Sequence, residues 1–157
     1  MRLRFGSMPT ALESVMRHYR DDMAPGDVFI MNDPFDGGMH LPDIFVFKPL
    51  YHEGERLAFA CTVCHHIDVG GRVAGSNASD STEIYAEGLR IPPLKLYERG
   101  QANSTLFRMI DRNVRLPGRV LGDIRSQLAA CEIAARGMAD LVCRYGADGV
   151  AAGRRLA

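Results

Sequence analysis

An apolar stripe in the last third of the chain constrains the fold more than any other feature. Its members recur at alternating intervals of three and four residues, the spacing of one face of an α-helix. They are Leu121, Ile124, Leu128, Cys131, Ala135, Met138 and Val142. The pattern predicts a helix of about 25 residues that begins at Pro117-Gly118 and ends near Gly146. We expect the stripe to pack on another helix or on a partner chain.

The first two-thirds of the chain predict one helix followed by a small β-sheet. Thr10 to Glu13 has the pattern of a capping box at a helix start. Four runs are typical of strands, and they are 27–31, 44–50 (bounded by Pro42 and Pro49), 57–64 and 94–97. The third run alternates a larger apolar face with a small one that suits close packing, formed by Ala58, Ala60, Thr62 and Cys64. A turn is expected at His52–Glu55.

A second helix and a long loop complete the expected architecture. A second helix is predicted over 104–114, and residues 68–83, rich in Gly, Ser, Asn and Asp, predict a long loop. The fold class is therefore mixed α/β (α+β), with the sheet in the first two-thirds and helices in the last third. We expect a single domain, 1–157, that is a fragment of a larger fold.

Charge and composition exclude several classes of protein. Nineteen basic and 19 acidic residues give a formal net charge of zero, unlike proteins that bind nucleic acid or membranes through a basic surface. No apolar run approaches the roughly 20 residues of a membrane span, and no apolar segment follows the basic start as in a secretory signal. The four cysteines form no dense disulfide pattern. These features predict a cytoplasmic protein.

Two polar loops at strand ends are the best candidates for chemistry. The first covers residues 32–43 and the second residues 65–71, and both combine histidine with aspartate. Imidazole and carboxylate together suit a divalent ion of borderline hardness such as Mn, Fe or Zn. Adjacent His65 and His66 should diverge, so one of them would face a shared site, with Asp43 or His40 from the other loop. In the alternative interpretation these side chains satisfy backbone groups and cap turns.

Other motifs are less specific. Arg90 is able to clamp a carboxylate or phosphate, or to form a salt bridge with Glu83 or Glu87 that orders the loop. The chain contains neither a Walker A pattern nor a nucleophile elbow. Nucleotide chemistry would therefore have to be supplied elsewhere.

Five sequence blocks in a fixed order resemble the hydantoinase B/oxoprolinase family. They are GDVFIMNDPF (26–35), HLPD (40–43), HHIDVGG (65–71), DSTEI (80–84) and EGLRIPP (87–93). The resemblance runs from about Ser7 to the end of the chain. Because family members are several times longer, it implies that this chain is an N-terminal fragment.

The resemblance implies a component of an ATP-dependent cyclic-amide hydrolase. A hydantoinase A-like partner subunit would hold ATP and activate a hydantoin or 5-oxoproline, and this component would complete ring opening with water in a hetero-oligomer. The related acetone carboxylases imply a manganese-type ion. The resemblance favours Asp43, His65 and Asp68 as metal ligands and His40 and His66 as ligand or general base. Candidate substrate-binding residues are Asp33 and Arg90.

Two alternative functions remain open from the sequence. One is a fragment of the large subunit of an acetone or acetophenone carboxylase, which would use the same metal. The other is an inactive truncated chain that at most binds its partner through the apolar stripe 121–142.

Overall fold

A computed structural model describes residues 6–76 and 78–153, with side chains described up to residue 150. Its helices are α1 (Met8–His18), α2 (Ser104–Asn113) and α3 (Pro117–Gly153). Its strands are β1 (Val28–Met31), β2 (Asp43–His52), β3 (Glu55–His65), β4 (Leu94–Glu98) and β5 (Gln101–Ala102). Short 3₁₀ turns lie at Pro34–Asp36 and Ile84–Ala86. The chain start, on which the expectation about a secretory signal depends, lies outside the described residues.

The strands form one antiparallel sheet in the order β3-β2-β1-β4-β5. A sheet early in the chain and helices at its end confirm the mixed α/β class. The sequence did not indicate this strand order, nor the two-residue strand β5. None of the helices in the described ranges combines the length and the apolar character needed to cross a bilayer.

Strands β2 and β3 form a long hairpin whose far end carries the candidate site. Its register pairs His52 with Glu55 beside the turn and Asp43 with His65 at the open end. The expected turn is present, with Glu53 and Gly54 at φ angles of 49° and 83°, as two-residue hairpin turns require.

Pro49 does not end β2, so that boundary was wrong. The proline lies opposite Phe59 of β3 and within the strand. The pairing of β2 with β1 extends only from Phe45 to Phe47. A proline is tolerated at this point because β2 has a paired neighbour on one side only.

Helix α1 begins earlier than the capping-box pattern indicates. Ser7 is the N-cap and makes no side-chain capping bond, while Pro9 occupies the first turn. Thr10 therefore lies inside the helix. Proline fits the first turn because its missing N–H would have had no helical acceptor there.

Helix α3 packs on α2, as one of the expected alternatives has it, and also on β2 and β3 of the sheet, which was not expected. Ile124, Cys131 and Val142 of the stripe are buried, and the Cys131 thiol reaches the Ala60 carbonyl of β3 at 3.9 Å. The helical period predicts a buried face but not what covers it. The small side chains of β3 let the helix lie close to the strand, as their alternation predicts. Non-helical angles at Gly146 (φ 72°, ψ 161°) confirm the expected end near that residue, although a helical segment continues beyond it.

The opposite face of the sheet packs on α1. Phe29, Phe45 and Phe47 are fully or almost fully buried there, against Ala11 and Val15 of the helix. Burial of each large apolar side chain contributes about 1.5–3 kcal/mol. The hairpin is thus fixed on both faces, and its open end becomes a rigid platform for the loops described next.

Candidate functional site

Two histidines from different loops contact one carboxylate at the open end of the β2–β3 hairpin. Asp43 Oδ1 lies 2.7 Å from His65 Nδ1, and Asp43 Oδ2 lies 3.2 Å from His40 Nδ1. The Asp43 side chain is 10% exposed, whereas the rings of His40 and His65 are 81% and 60% exposed. Strand pairing sets the first contact because Asp43 and His65 are direct partners in the register. A tight turn from His40 to Asp43 sets the second.

The loop that carries His40 is held by Asn32, a fully buried residue at the end of β1. Its amide nitrogen donates to the carbonyls of Leu41 (2.6 Å) and Leu89 (2.9 Å), and its amide oxygen accepts from the Ile91 N–H (2.6 Å). The loop passes so close that a Cβ on Gly38 would lie 2.5 Å from the Asn32 carbonyl oxygen. One side chain therefore joins the His40 loop to the segment before β4.

An open cavity of about 330 Å³ lies beside the histidines. It is lined by His40, Pro42, His65, Ser76, Ala78 and Glu87. Its volume is at the small end of ligand pockets, which span roughly 300–1,000 Å³. The cavity thus brings together residues from three separate parts of the sequence, 40–42, 65–78 and 87.

His66 points away from this cavity and into the core beneath α3. Its side chain is 1% exposed, and its Nε2 lies 3.1 Å from Gln127 Oε1. Because Gln127 Nε2 donates to the Ile44 carbonyl, Oε1 must accept from His66 Nε2–H. Burial lowers the pKa of His66 below its usual value, so the ring is neutral at pH 7. This placement argues against the expected role of His66 as ligand or general base.

Asp68 also lies outside the histidine cluster. One oxygen accepts from Arg115 Nη1 at 2.9 Å, and the other accepts from the Arg115 backbone N–H at 2.8 Å and from the Gly70 N–H at 3.1 Å. The Arg115 guanidinium also donates to the carbonyls of Gly70, Gly71 and Val73. Asp68 therefore fastens the loop after β3 to the α2–α3 junction, and its lone pairs are occupied. The expectation that it joins Asp43 and His65 as a ligand is not supported by this geometry.

Asp68 gives the first testable prediction, a stability that depends on pH. Burial alone would raise the pKa of Asp68, but hydrogen bonds from Arg115, Gly70 and Gly75 outweigh it and hold the pKa below the usual value. Its contribution is therefore present above the unfolded pKa of about 4 and is lost as pH falls through the lower folded value. We expect Asp68→Asn to cost about 1–3 kcal/mol at pH 7 and to weaken the loss of stability in acid.

Urea unfolding between pH 7 and pH 3 measures this effect. Asp80→Asn is the matched control because Asp80 pairs with Arg72 at the exposed surface, where ion pairs contribute little. Equal acid sensitivity of the natural chain and Asp68→Asn would contradict the prediction.

Arg90 binds Asp33 rather than Glu83 or Glu87, so the expected loop salt bridge was assigned to the wrong partner. Arg90 Nε lies 3.1 Å from Asp33 Oδ2, and the guanidinium carbon lies 5.7 Å from the ring centres of both Phe35 and Tyr85. The contact joins the two 3₁₀ turns. Arg90 lines a neighbouring cavity with Tyr85 and not the cavity of His40 and His65.

Sequence reasoning missed Arg115, Gln127 and the role of Asn32. Arg115 lies between α2 and α3 without a motif around it. Gln127 was detectable in principle because it is a polar residue three positions after Ile124, on the apolar face of a helix. A buried polar residue at such a position needs a partner, and here the partners are on β2 and β3.

The nitrogen and oxygen donors of His40, His65 and Asp43 suit a divalent ion. In the structure these donor atoms contact one another instead. Within residues 6–76 and 78–153, no group of three or more His, Cys, Asp or Glu side chains is arranged to hold a metal as it stands. The two nitrogen–oxygen separations of 2.7 and 3.2 Å nevertheless resemble those of adjacent ligands on one ion. Ligands at right angles, each about 2.1 Å from the ion, lie about 3 Å apart. An ion would take the place of the Nδ1 hydrogens, and each neutral ring would then carry its proton on Nε2.

The family model described as Hydantoinase B/oxoprolinase matches residues 1–155. The beta subunit of caprolactamase from Pseudomonas jessenii is 37% identical over 150 residues, which are 96% of this chain and 26% of that protein. The B component of a putative D-/L-hydantoinase from Pseudomonas sp. (strain NS671) is 32% identical, with the same coverage. The chain thus spans about a quarter of the length of these relatives.

Two solved structures share this fold. The crystal structure of ATP-dependent caprolactamase from Pseudomonas jessenii superposes with a TM-score of 0.90 at 37% identity, over 95% of this chain and 26% of that one. A nucleotide-free acetone carboxylase superposes with a TM-score of 0.84 over 90% of this chain and 19% of that one. The identity to the carboxylase is 24%, so that likeness is one of fold alone.

Proposed function

Since the chain belongs to the hydantoinase B/oxoprolinase family, we propose that it forms the water-activating part of an ATP-dependent hydrolase of cyclic amides. The relatives named as components of a caprolactamase and a hydantoinase favour this class of substrate. The observation that carries the proposal is the contact of His40 and His65 with Asp43 at the wall of an open cavity. Amide hydrolysis needs an activated water and stabilisation of a developing oxyanion, and histidine and carboxylate side chains that hold an ion at a cavity wall are suited to supply both.

We assign a divalent ion, Mn, Zn or Fe, to His40, Asp43 and His65. When bound, such an ion would lower the pKa of a coordinated water and polarise the carbonyl. The three residues would hold the ion in different ways. Asp43 and His65 are anchored by the hairpin register, while the exposed ring of His40 is able to adjust its position.

ATP is assigned to a hydantoinase A-like partner subunit. This chain has no phosphate-binding loop of the Walker A type, and two relatives are named as subunits, which supports a hetero-oligomer. Arg90 remains a candidate for contact with the substrate from the neighbouring cavity, and buried Asp33 would contribute by holding Arg90 in position. Their mutual salt bridge leaves Arg90 Nη1 and Nη2 as the donors for such a contact.

The proposal predicts ATP-dependent ring opening that requires His65. The chain would be co-produced with its hydantoinase A-like subunit and assayed with 5-oxoproline, hydantoin and caprolactam. We expect His65→Ala to lower the rate at least about a hundredfold, as loss of a metal-held water does. His52→Ala is the matched control, because His52 lies at the opposite end of the hairpin.

The same assay separates the alternatives. Carboxylation of acetone without ring opening would favour the carboxylase. Normal assembly with the partner but no turnover of either substrate class would indicate an inactive chain. An active complex that is unaffected by His65→Ala would contradict the assigned site.

A further inference from the structure

Glu87 lies in the cavity of the histidine cluster, although its sequence context indicates only a structural role. It follows the 3₁₀ turn Ile84–Ala86 and lines the cavity with His40 and His65. Its side chain is half-buried. It makes no salt bridge or side-chain hydrogen bond with any other residue in the described ranges.

The pairing of Arg90 explains why Glu87 is available. A helix-like turn with Glu87 and Arg90 three positions apart would favour a salt bridge between them. Instead Arg90 turns to the buried carboxylate of Asp33 at 3.1 Å and is flanked by Phe35 and Tyr85. The cation that would neutralise Glu87 is thus engaged elsewhere.

The other polar side chains of the cavity already make hydrogen bonds within the chain. The Ser76 hydroxyl donates to the Gly70 carbonyl at 2.7 Å and accepts from the Val69 N–H at 2.8 Å. Both histidine rings contact Asp43 through Nδ1. Glu87 is therefore the uncommitted carboxylate among the described residues that line this space.

We propose that Glu87 binds the ring N–H of a cyclic amide and carries the proton that ring opening requires. The inference rests on the proposed function, since it places the substrate in the cavity beside His40 and His65. A carboxylate accepts the N–H of an amide strongly because the bond is charge-assisted. As the water oxygen bonds to the carbonyl carbon, Glu87 takes one water proton. When the carbon–nitrogen bond breaks, Glu87 returns that proton to the nitrogen, which leaves as an amine.

Binding of two small lactams tests the N–H contact without turnover. 2-Pyrrolidinone has a ring N–H, and N-methyl-2-pyrrolidinone has a methyl group instead. In NMR titrations of the natural chain, we expect 2-pyrrolidinone to bind about tenfold more tightly or better. Glu87→Gln should lose most of this preference because its amide is a weaker acceptor, whereas Glu83→Gln, a change at an exposed neighbour, should keep it.

Turnover by the complex with the partner subunit tests the proton transfer. We expect Glu87→Gln to lower kcat about a hundredfold or more, a larger factor than the rise in KM from the weakened N–H contact, and Glu87→Asp to restore part of the rate. The acidic limb of the pH–rate profile should change in Glu87→Gln and persist in Glu83→Gln. Unchanged binding of Mn²⁺ would separate this role from that of a metal ligand.

The outcomes distinguish this inference from the proposed function. An N–H preference that needs Glu87, in a complex that opens no cyclic amide, would support the contact and defeat the hydrolase. Ring opening that depends on His65 but not on Glu87 would overturn the inference alone. Equal binding of the two lactams by the natural chain, or no binding of 2-pyrrolidinone, would also overturn it. Melting curves of both glutamine variants verify that they fold.

Discussion

A chain with asparagine in place of Asp43 will bind divalent metal at least about a hundredfold more weakly than the natural chain, a loss beyond that of an outer-shell partner. The substitution keeps the side-chain shape but removes the charge and one acceptor. Asp43 contacts both His40 and His65, so one change affects every donor of the assigned site. Calorimetric titration with Mn²⁺ and Zn²⁺ measures the affinity.

Asp36→Asn is the control for this experiment. Asp36 lies on the same loop but accepts from the Ser14 hydroxyl of α1 at 3.1 Å, away from the histidines. Its variant should bind metal as the natural chain does. If Asp43→Asn retained full affinity, the ion would have to lie elsewhere.

The largest effect on folding is expected from Asn32→Ala. The change removes a fully buried amide and leaves the Leu41 and Leu89 carbonyls and the Ile91 N–H without their partner. Each unsatisfied buried group costs about 1–3 kcal/mol, so we expect a loss of at least about 3 kcal/mol. For a chain of this size, that corresponds to a fall in Tm of roughly 6–12 °C.

Thermal unfolding followed by circular dichroism checks this prediction. Asn113→Ala is the comparison, because that amide donates to the Met109 carbonyl at the exposed surface of α2. It should change the free energy of unfolding by about 0.5 kcal/mol or less. Equal effects of the two substitutions would show that Asn32 does not hold the loops together.

Local patterns in the sequence predicted most elements of this fold. Alternation located β3 and its small face, and helical spacing located α3 and its end near Gly146. Long-range facts were not accessible in the same way. The packing of α3 on the sheet depends on how closely the helix fits against Ala60. The strand order depends on which distant segments pair, here β1 with β4.

The candidate site shows the same division. Asp43, His40 and His65 were selected for their donor types, and the hairpin register brings them together. Asp68 and His66 have the same chemistry, but Arg115 and Gln127 engage them. Spacing could not reveal these partners, since both lie 47 or more residues away along the chain.

The divergence of His65 and His66 limits where evolution can change the length of this hairpin. The His65 ring lines the open cavity, whereas the His66 ring is enclosed beneath α3. An insertion or deletion of a single residue inside β3 would exchange the faces on which the two rings lie. The ring that now faces the cavity would enter the interior, and Gln127 would lose its contact with His66. Insertions and deletions should therefore accumulate at the turn Glu53-Gly54, where a change of length leaves each side chain of β3 on its present face.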